Sequence, residues 1–152
     1  MTSTTKYLAD CIFCKIIKGE IPSYKLLETA ASYSFLDIGP LSKGHALIIP
    51  KYHSVKMHEL PDENLTDVMV MAKKIALGQG IENYNILQNN GRIAHQEVEH
   101  VHFHVIPKPS DDQGLVLEWK TLPKNPDPTE AAKEMTEIQK KVHDFDRRAG
   151  KW

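Results

Sequence analysis

The sequence predicts an α+β fold: an antiparallel sheet of about five strands with two or three helices. Three observations carry that expectation. Five short segments are rich in strand formers and are bounded by Gly, Pro or Asn breaks. Longer segments place apolar residues at helical spacing. The first strand segments sit close together, as in an antiparallel meander.

In chain order, residues 1–9 read as a flexible polar leader. Ile12, Phe13, Ile16 and Ile17 then recur at helical spacing, and Gly19 ends the pattern as a C-terminal cap. Lys25–Glu28 reads as a short strand, Ser32–Ile38 as a second that breaks at Gly39-Pro40, and His45–Ile49 as a third stopped by Pro50. A helix opens at Pro61-Asp62-Glu63, with Asp62 as its cap. Leu65, Val68, Met69, Ala72, Ile75 and Ala76 line one face of it, and Gly78 and Gly80 close it. Tyr84–Gln88 is a strand, Asn89-Asn90-Gly91 a turn, and Val101–Ile106 another strand ended by Pro107. Residues 108–128 hold Pro109, Pro123, Pro126 and Pro128 and read as loop, with Leu115–Leu117 as a short strand. Asp127-Pro128-Thr129-Glu130 has the form of a helix start, and Met135, Ile138, Val142 and Phe145 continue as a stripe. The expected organisation is a leader at 1–9, a main domain at 10–120, and a Pro-rich loop with an amphipathic helix at 121–152. Trp152 reads as a frayed end.

The 152 residues fit one domain, and 41% apolar content supplies a core. With 19 basic and 20 acidic residues the net charge is −1, which argues against a whole-surface grip on nucleic acid or on an anionic membrane. No run of about 18 apolar residues is present, so no membrane-spanning helix is expected. The start lacks the apolar core of a signal peptide. Two cysteines, Cys11 and Cys14, do not make a disulfide framework and point to a reducing, cytoplasmic or nuclear setting.

Histidine stands out, with eight residues, four of them between His95 and His104. His100-Val101-His102-Phe103-His104-Val105-Ile106 alternates strictly. On a strand this puts three imidazoles on one face, each about 6.5–7 Å from the next, and Val101, Phe103 and Val105 on the other. The bland alternatives are a solvated face on an edge strand and adventitious metal binding. Three in register, preceded by His95 and Gln96 in a polar loop, argue for a working row.

The segment resembles the histidine-triad motif. Around it, Cys11–Ile17, Phe35–Pro40, Gly44–His53, Asn89-Asn90-Gly91 and Gln96 to His100 resemble that superfamily's other blocks, in order, from about Asp10 to Pro107. The branch it is most similar to is the Hint type, nucleotide-binding phosphoramidases of purine nucleoside monophosphates. The resemblance implies attack on the α-phosphorus of a nucleotide, giving a nucleotidyl-histidine that water hydrolyses. It assigns the nucleophile to His102, with His104 and His45 assisting. A neutral imidazole attacks without first losing a proton, and its second nitrogen needs a fixed partner, a role open to a backbone carbonyl. Asp37 matches the ribose-binding carboxylate. Ile12, Phe13, Ile16, Ile21, Phe35 and Ile38 match the base pocket, and Phe103 is counted with the nucleotide-binding residues. Asn89, His95, Gln96 and Glu97 match the phosphate-facing positions. Glu97 departs from the pattern, since many Hint proteins carry a small residue or serine there. The resemblance further implies a two-fold homodimer through the helix at Glu63–Leu77 and an adjacent strand, with Trp119 as counterpart of a tryptophan that reaches toward the partner's pocket.

No Walker loop and no tight carboxylate cluster is present, so no catalytic metal is expected. Cys11, Cys14, His53 and His100 match a structural zinc set found in some triad relatives; the other reading of the cysteines is two buried free thiols on a helix. The expected ligands are purine nucleoside monophosphates and their phosphoramidates, with neither nucleic acid nor membrane as partner. Two other functions stay open: a dinucleoside polyphosphate hydrolase of the Fhit type, and a nucleotide-binding regulatory or scaffold protein whose catalysis is vestigial.

Overall fold

The computed structural model describes residues 4–123 and 127–149; Pro126 and Trp152, singled out above, lie outside the described residues. A compact unit ends at Val116 and a second begins at Leu117, a little before the boundary expected at 120.

The first unit holds helix α1 (Ile12–Ile17), strands β1 (Lys25–Glu28), β2 (Ser32–Leu36) and β3 (Ala46–Pro50), helix α2 (Asp62–Gln79), and strands β4 (Tyr84–Gln88) and β5 (Phe103–Pro107). The five strands form one antiparallel sheet in the order β1-β2-β3-β5-β4. The chain leaves β3, crosses through α2, lays down β4 one place too far, and returns to fill the gap with β5. The triad strand is therefore internal, paired to β3 on one side and β4 on the other. An edge strand with a solvated histidine face, one of the bland readings, is ruled out by this order.

Period-two alternation sorts the side chains of β3 and β5 onto two faces. Ala46, Ile48, Phe103 and Val105 pack with Val68, Met71, Ala72 and Ile75 of α2. Leu47 and Ile49 face the other way, with Tyr33, Phe35, Phe13, Cys14 and Ile16. Leu47 pairs with His104 across the β3–β5 ladder, so the histidines lie on the α1 side of the sheet.

Several sequence expectations are corrected. The helix cap is Pro61, and Asp62 is the first helical residue, because Pro61 holds an extended backbone with ψ of 143°. Gly78 stays inside α2, which ends at Gly80 in the left-handed region (φ +63°) that glycine adopts without a Cβ clash. Leu115–Leu117 forms no strand. The leader is not loose where it is described: Lys6 bridges Tyr52, its carbonyl accepts from His53 N at 2.7 Å, and the Thr4 carbonyl accepts from Asn64 Nδ2 at 3.0 Å. The triad strand begins at Phe103 rather than Val101, because the Val101 amide bonds to the Ser54 carbonyl at 2.9 Å instead of joining the ladder.

The second unit holds helix α3 (Pro128–Ala149), opened as expected by Asp127, whose Oδ1 accepts from Thr129 N at 2.7 Å. Met135, Ile138, Val142 and Phe145 are exposed along it, and Trp119 is exposed in the preceding segment.

Candidate functional site

β5 and the turn before it place His100, His102 and His104 in a row, with His45 and Asp37 brought alongside by β3 and the loop after β2. His102 is 6% exposed. Its Nδ1 lies 2.7 Å from the His100 carbonyl. A carbonyl only accepts, so His102 Nδ1 carries the proton and Nε2 keeps its lone pair. That is the form a nucleophilic imidazole requires. Burial lowers the His102 pKa, with the His100 carbonyl, Asp37 and Glu97 pulling partly the other way. The ring is thus neutral and ready to attack near pH 7.

His104 follows, its ring centroid 5.1 Å from that of His102. Burial, then the neighbouring His102 and His45, push its pKa down to about 4. His104 Nδ1 lies 2.9 Å from His45 Nε2, and the Asp37 carboxylate stands 3.6 Å from the same nitrogen. Asp37 is itself oriented by the Gly39 amide at 2.7 Å. His45 is 3% exposed, and burial lowers its pKa against the pull of Asp37.

On the other flank of His102 lies a second cluster. Cys11 and Cys14 come from the start of α1, His53 from the segment after β3, and His100 from the approach to β5; all four are buried. His100 Nδ1 is 3.4 Å from Cys11 Sγ, 3.6 Å from Cys14 Sγ and 3.1 Å from His53 Nδ1, and His53 Nδ1 is 3.5 Å from Cys14 Sγ. A tetrahedral zinc with Zn–N of about 2.0 Å and Zn–S of about 2.3 Å has edges of about 3.3–3.8 Å. Four of the cluster's six edges, at 3.1–3.6 Å, lie close to those values, and all four donor atoms lie within 4.8 Å of one another. His100 Nε2 sits 2.9 Å from the Pro50 carbonyl and must donate to it, which leaves Nδ1 with a free lone pair facing the cluster. The donor set fits zinc. Burial, with Cys11 beside it, pushes the Cys14 thiol up to about 11, and burial, with His53 and His102 beside it, pushes His100 down to about 4. A cleft of about 680 Å³, lined by Cys11, His53, Arg92, Gln96 and Glu97 among others, opens beside it.

The remaining expected residues divide. Phe13 is buried and stands edge-on to His102 (5.3 Å between centroids), to His100 (5.8 Å) and to Phe35 (5.9 Å), so it walls the triad. Ile16 and Phe35 are buried behind it, and Ile21 packs against the same cluster. Ile12 is half exposed and Ile38 is 90% exposed beside Asp37. Asn89 Nδ2 donates to the His95 carbonyl at 3.2 Å. His95, in the left-handed region at φ +68°, and Glu97 are exposed. Two assignments are corrected. Phe103 does not line the site: as an odd neighbour of His102 and His104 on the strand, it packs in the core under α2. Gln96 does not offer its side chain to a ligand: it is 4% exposed, its Oε1 accepts from Gly91 N at 2.7 Å, and its Nε2 donates to the Val55 and Val98 carbonyls. It fastens the loop that carries Asn89 and Glu97.

Sequence reasoning missed the backbone groups that fix the rings. These are the His100 and Pro50 carbonyls and the Leu41 amide, which donates to His45 Nδ1 at 3.1 Å. Main-chain atoms carry no side-chain signature, so no residue pattern points to them.

A neutral imidazole with a free Nε2, held between two clusters on an internal strand, defines a protein that does its chemistry through histidine. A model of the HIT domain family matches residues 18–111. An adenosine 5′-monophosphoramidase of Schizosaccharomyces pombe is 58% identical over 133 residues, covering 88% of this chain and 98% of that one. A Saccharomyces cerevisiae protein of the same description is 63% identical over 111 residues, covering 73% and 70%. The crystal structure of a histidine triad nucleotide-binding protein from Candida albicans superposes with a TM-score of 0.85 at 47% identity, covering 90% of this chain and all of that one. The chain belongs to the HIT family.

Proposed function

We propose that this protein is a purine nucleoside 5′-phosphoramidate hydrolase that works through a nucleotidyl-histidine. The observation that carries the reading is the His102 Nδ1 bond to the His100 carbonyl, which leaves Nε2 as a neutral nucleophile. Similarity to adenosine 5′-monophosphoramidases at 56–63% identity supports the substrate class. In this reading His102 Nε2 attacks the α-phosphorus, the P–N bond of the substrate breaks as its nitrogen leaves with a proton taken from solvent, and water then cleaves the new P–N bond to His102 and releases the nucleoside monophosphate. Asp37 takes the ribose hydroxyls, and Phe13, Ile16, Ile21, Phe35 and Ile38, with Ile12, provide the apolar side of the base site. His104, Asn89, His95 and Glu97 surround the phosphate.

In this reading the side chains carry the reaction and no catalytic metal is required. Zinc held by Cys11, Cys14, His53 and His100 would tie α1, the segment after β3 and the approach to β5 together. Its influence on catalysis would pass through the His100 backbone, whose carbonyl holds His102. A homodimer through α2 and β4 is supported by the edge position of β4 and by the exposed Tyr84, Ile86, Met69, Val70 and Leu77. The free thiols of Cys11 and Cys14 favour a cytoplasmic or nuclear setting.

The test compares turnover of adenosine 5′-phosphoramidate with that of diadenosine triphosphate, in the native protein and in His102→Asn. The expected result is preference for the phosphoramidate and a loss of at least about 10³-fold in kcat in the variant, with AMP binding kept. Wild-type turnover by the variant refutes the mechanism. Preference for the dinucleotide moves the protein to the Fhit-type reading. AMP binding without turnover in the native protein supports the regulatory one.

A further inference from the structure

The pair His45–His104 has a direction, and a main-chain group sets it. The Leu41 amide lies 3.1 Å from His45 Nδ1. An amide N–H only donates, so Nδ1 of His45 is the acceptor and its single proton sits on Nε2. That nitrogen faces His104 Nδ1 at 2.9 Å. His104 Nδ1 must then accept, and the proton of the neutral His104 ring is on Nε2. Among the described residues His104 Nε2 has no hydrogen-bond partner, so it is the nitrogen left for a ligand.

We infer that the Leu41 backbone amide fixes the tautomers of both rings, making His104 a permanent neutral N–H donor to the bound phosphate and barring the pair from protonating the leaving amine. The inference deepens the phosphoramidase reading, on which its functional half rests.

The second half follows from proton bookkeeping. When His102 attacks, the P–N electrons leave with the nitrogen, which needs a proton. If His104 gave up its Nε2 proton, it would become an anion unless its Nδ1 took the Nε2 proton of His45. His45 would then be the anion, beside the Asp37 carboxylate, with its Nδ1 already occupied by the Leu41 N–H. Neither anion is accessible near neutral pH, so the line ends at the backbone and the leaving nitrogen takes its proton from solvent. Protonating either ring instead fails for a matching reason: a cationic His45 would have two N–H groups, one aimed at the Leu41 N–H. The groups facing the pair are Asp37, His102 and the two rings themselves, and burial outweighs Asp37 in keeping both rings neutral.

The amide is held in place by its loop. The Ser42 hydroxyl donates to the Pro107 carbonyl at 2.6 Å, Gly114 N donates to the Leu41 carbonyl at 3.0 Å, and Gln79 Nε2 donates to the Gly44 carbonyl at 2.9 Å. Gly114 adopts φ +81°, and a Cβ there would lie 2.6 Å from the Pro107 carbonyl, so only glycine closes this contact.

The test is a long-range ¹H–¹⁵N correlation spectrum of the full chain labelled at histidine, at pH 7 without substrate. Both His45 and His104 are expected as Nε2–H tautomers. A Nδ1–H tautomer, an imidazolium, or averaging between tautomers at either ring overturns the inference. Because no substrate is present, the spectrum decides it whether or not phosphoramidate proves to be the substrate. Leu41→Pro removes the amide proton while its side chain is already 48% exposed. In that variant His45 is expected to sample both tautomers and kcat to fall about tenfold with KM little changed. A folded variant with the wild-type spectrum and kcat also overturns it; if the variant does not fold, the wild-type spectrum still decides.

Discussion

Two clusters flank His102, one buried and one half-buried, and in each two histidine nitrogens come within 3.1 Å of one another and within 3.6 Å of a thiol or carboxylate. In one, His100 Nδ1 meets His53 Nδ1 at 3.1 Å beside Cys11 and Cys14. In the other, His45 Nε2 meets His104 Nδ1 at 2.9 Å beside Asp37. By ligand type and spacing alone, both are candidate metal sites. The backbone separates them. The far nitrogen of His100 faces a carbonyl, so its proton is drawn away and a lone pair is turned inward. The far nitrogen of His45 faces an amide, so its proton is driven inward and no lone pair remains for a metal. One hydrogen bond of opposite sense turns the same side-chain chemistry into a donor set that fits a metal in one place and a proton-bearing donor line in the other.

The largest effect that bears on this contrast is expected at the thiols. Cys14→Ser should abolish zinc binding and cost about 3 kcal/mol, lowering the melting temperature by about 10 °C. Chelation should bring the wild-type protein to the same value and leave the variant unmoved; equal zinc content in both forms breaks the comparison from the first side. His45→Asn tests the second side. It should lower kcat by about 10²-fold while leaving zinc content at one per chain. A fall in metal stoichiometry in this variant would mean that the Asp37 cluster binds metal after all.

Acid acts on both clusters, because His100 and His104 are each held near 4. His104 has its folded pKa held near 4, below the ordinary value of 6.5. Between those limits the unfolded chain binds a proton that the native ring refuses, so this stability is complete above about pH 6.5 and is lost as pH falls toward 4. In urea titration series, His104→Asn should lose about 2 kcal/mol less across that window than the wild-type protein, the remainder coming from His100 and the other buried rings. Equal losses in the two proteins would mean that His104 takes a proton in the native state, against the donor assignment. The smallest effect is expected at Ser42→Ala, which removes the 2.6 Å bond to Pro107 from the loop carrying Leu41. About 1 kcal/mol of stability should go, with a few-fold loss in kcat.

Much of this site was legible before any coordinates. The alternation from His100 to Ile106 was enough to put three imidazoles on one side of an extended segment, although only His104 lies within β5 and His100 and His102 precede it. The same rule, applied strictly, already put Phe103 on the opposite face, where it packs under α2. Its inclusion among ligand-facing residues followed the motif and not the geometry. Gln96 shows the converse limit. A polar residue in a polar loop looks available, and only the fold reveals that Gly91, Val55 and Val98 use its whole side chain.

The sequence by itself determined the strands and the alternating histidine row, because these follow from local periodicity. The face of α2 was read with Met69, which is exposed, in place of Met71, which is buried, and the meeting of Cys11, Cys14 and His53 around His100 came only as an implication of the family resemblance. Tertiary structure decided that the triad strand is internal, since the crossover through α2 leaves a gap that only β5 fills. It also decided the tautomers of His100, His102 and His45, and through His45 that of His104. Those states depend on whether a carbonyl or an amide happens to face each far nitrogen, and every residue except proline carries both groups, so the choice is made by position in the fold.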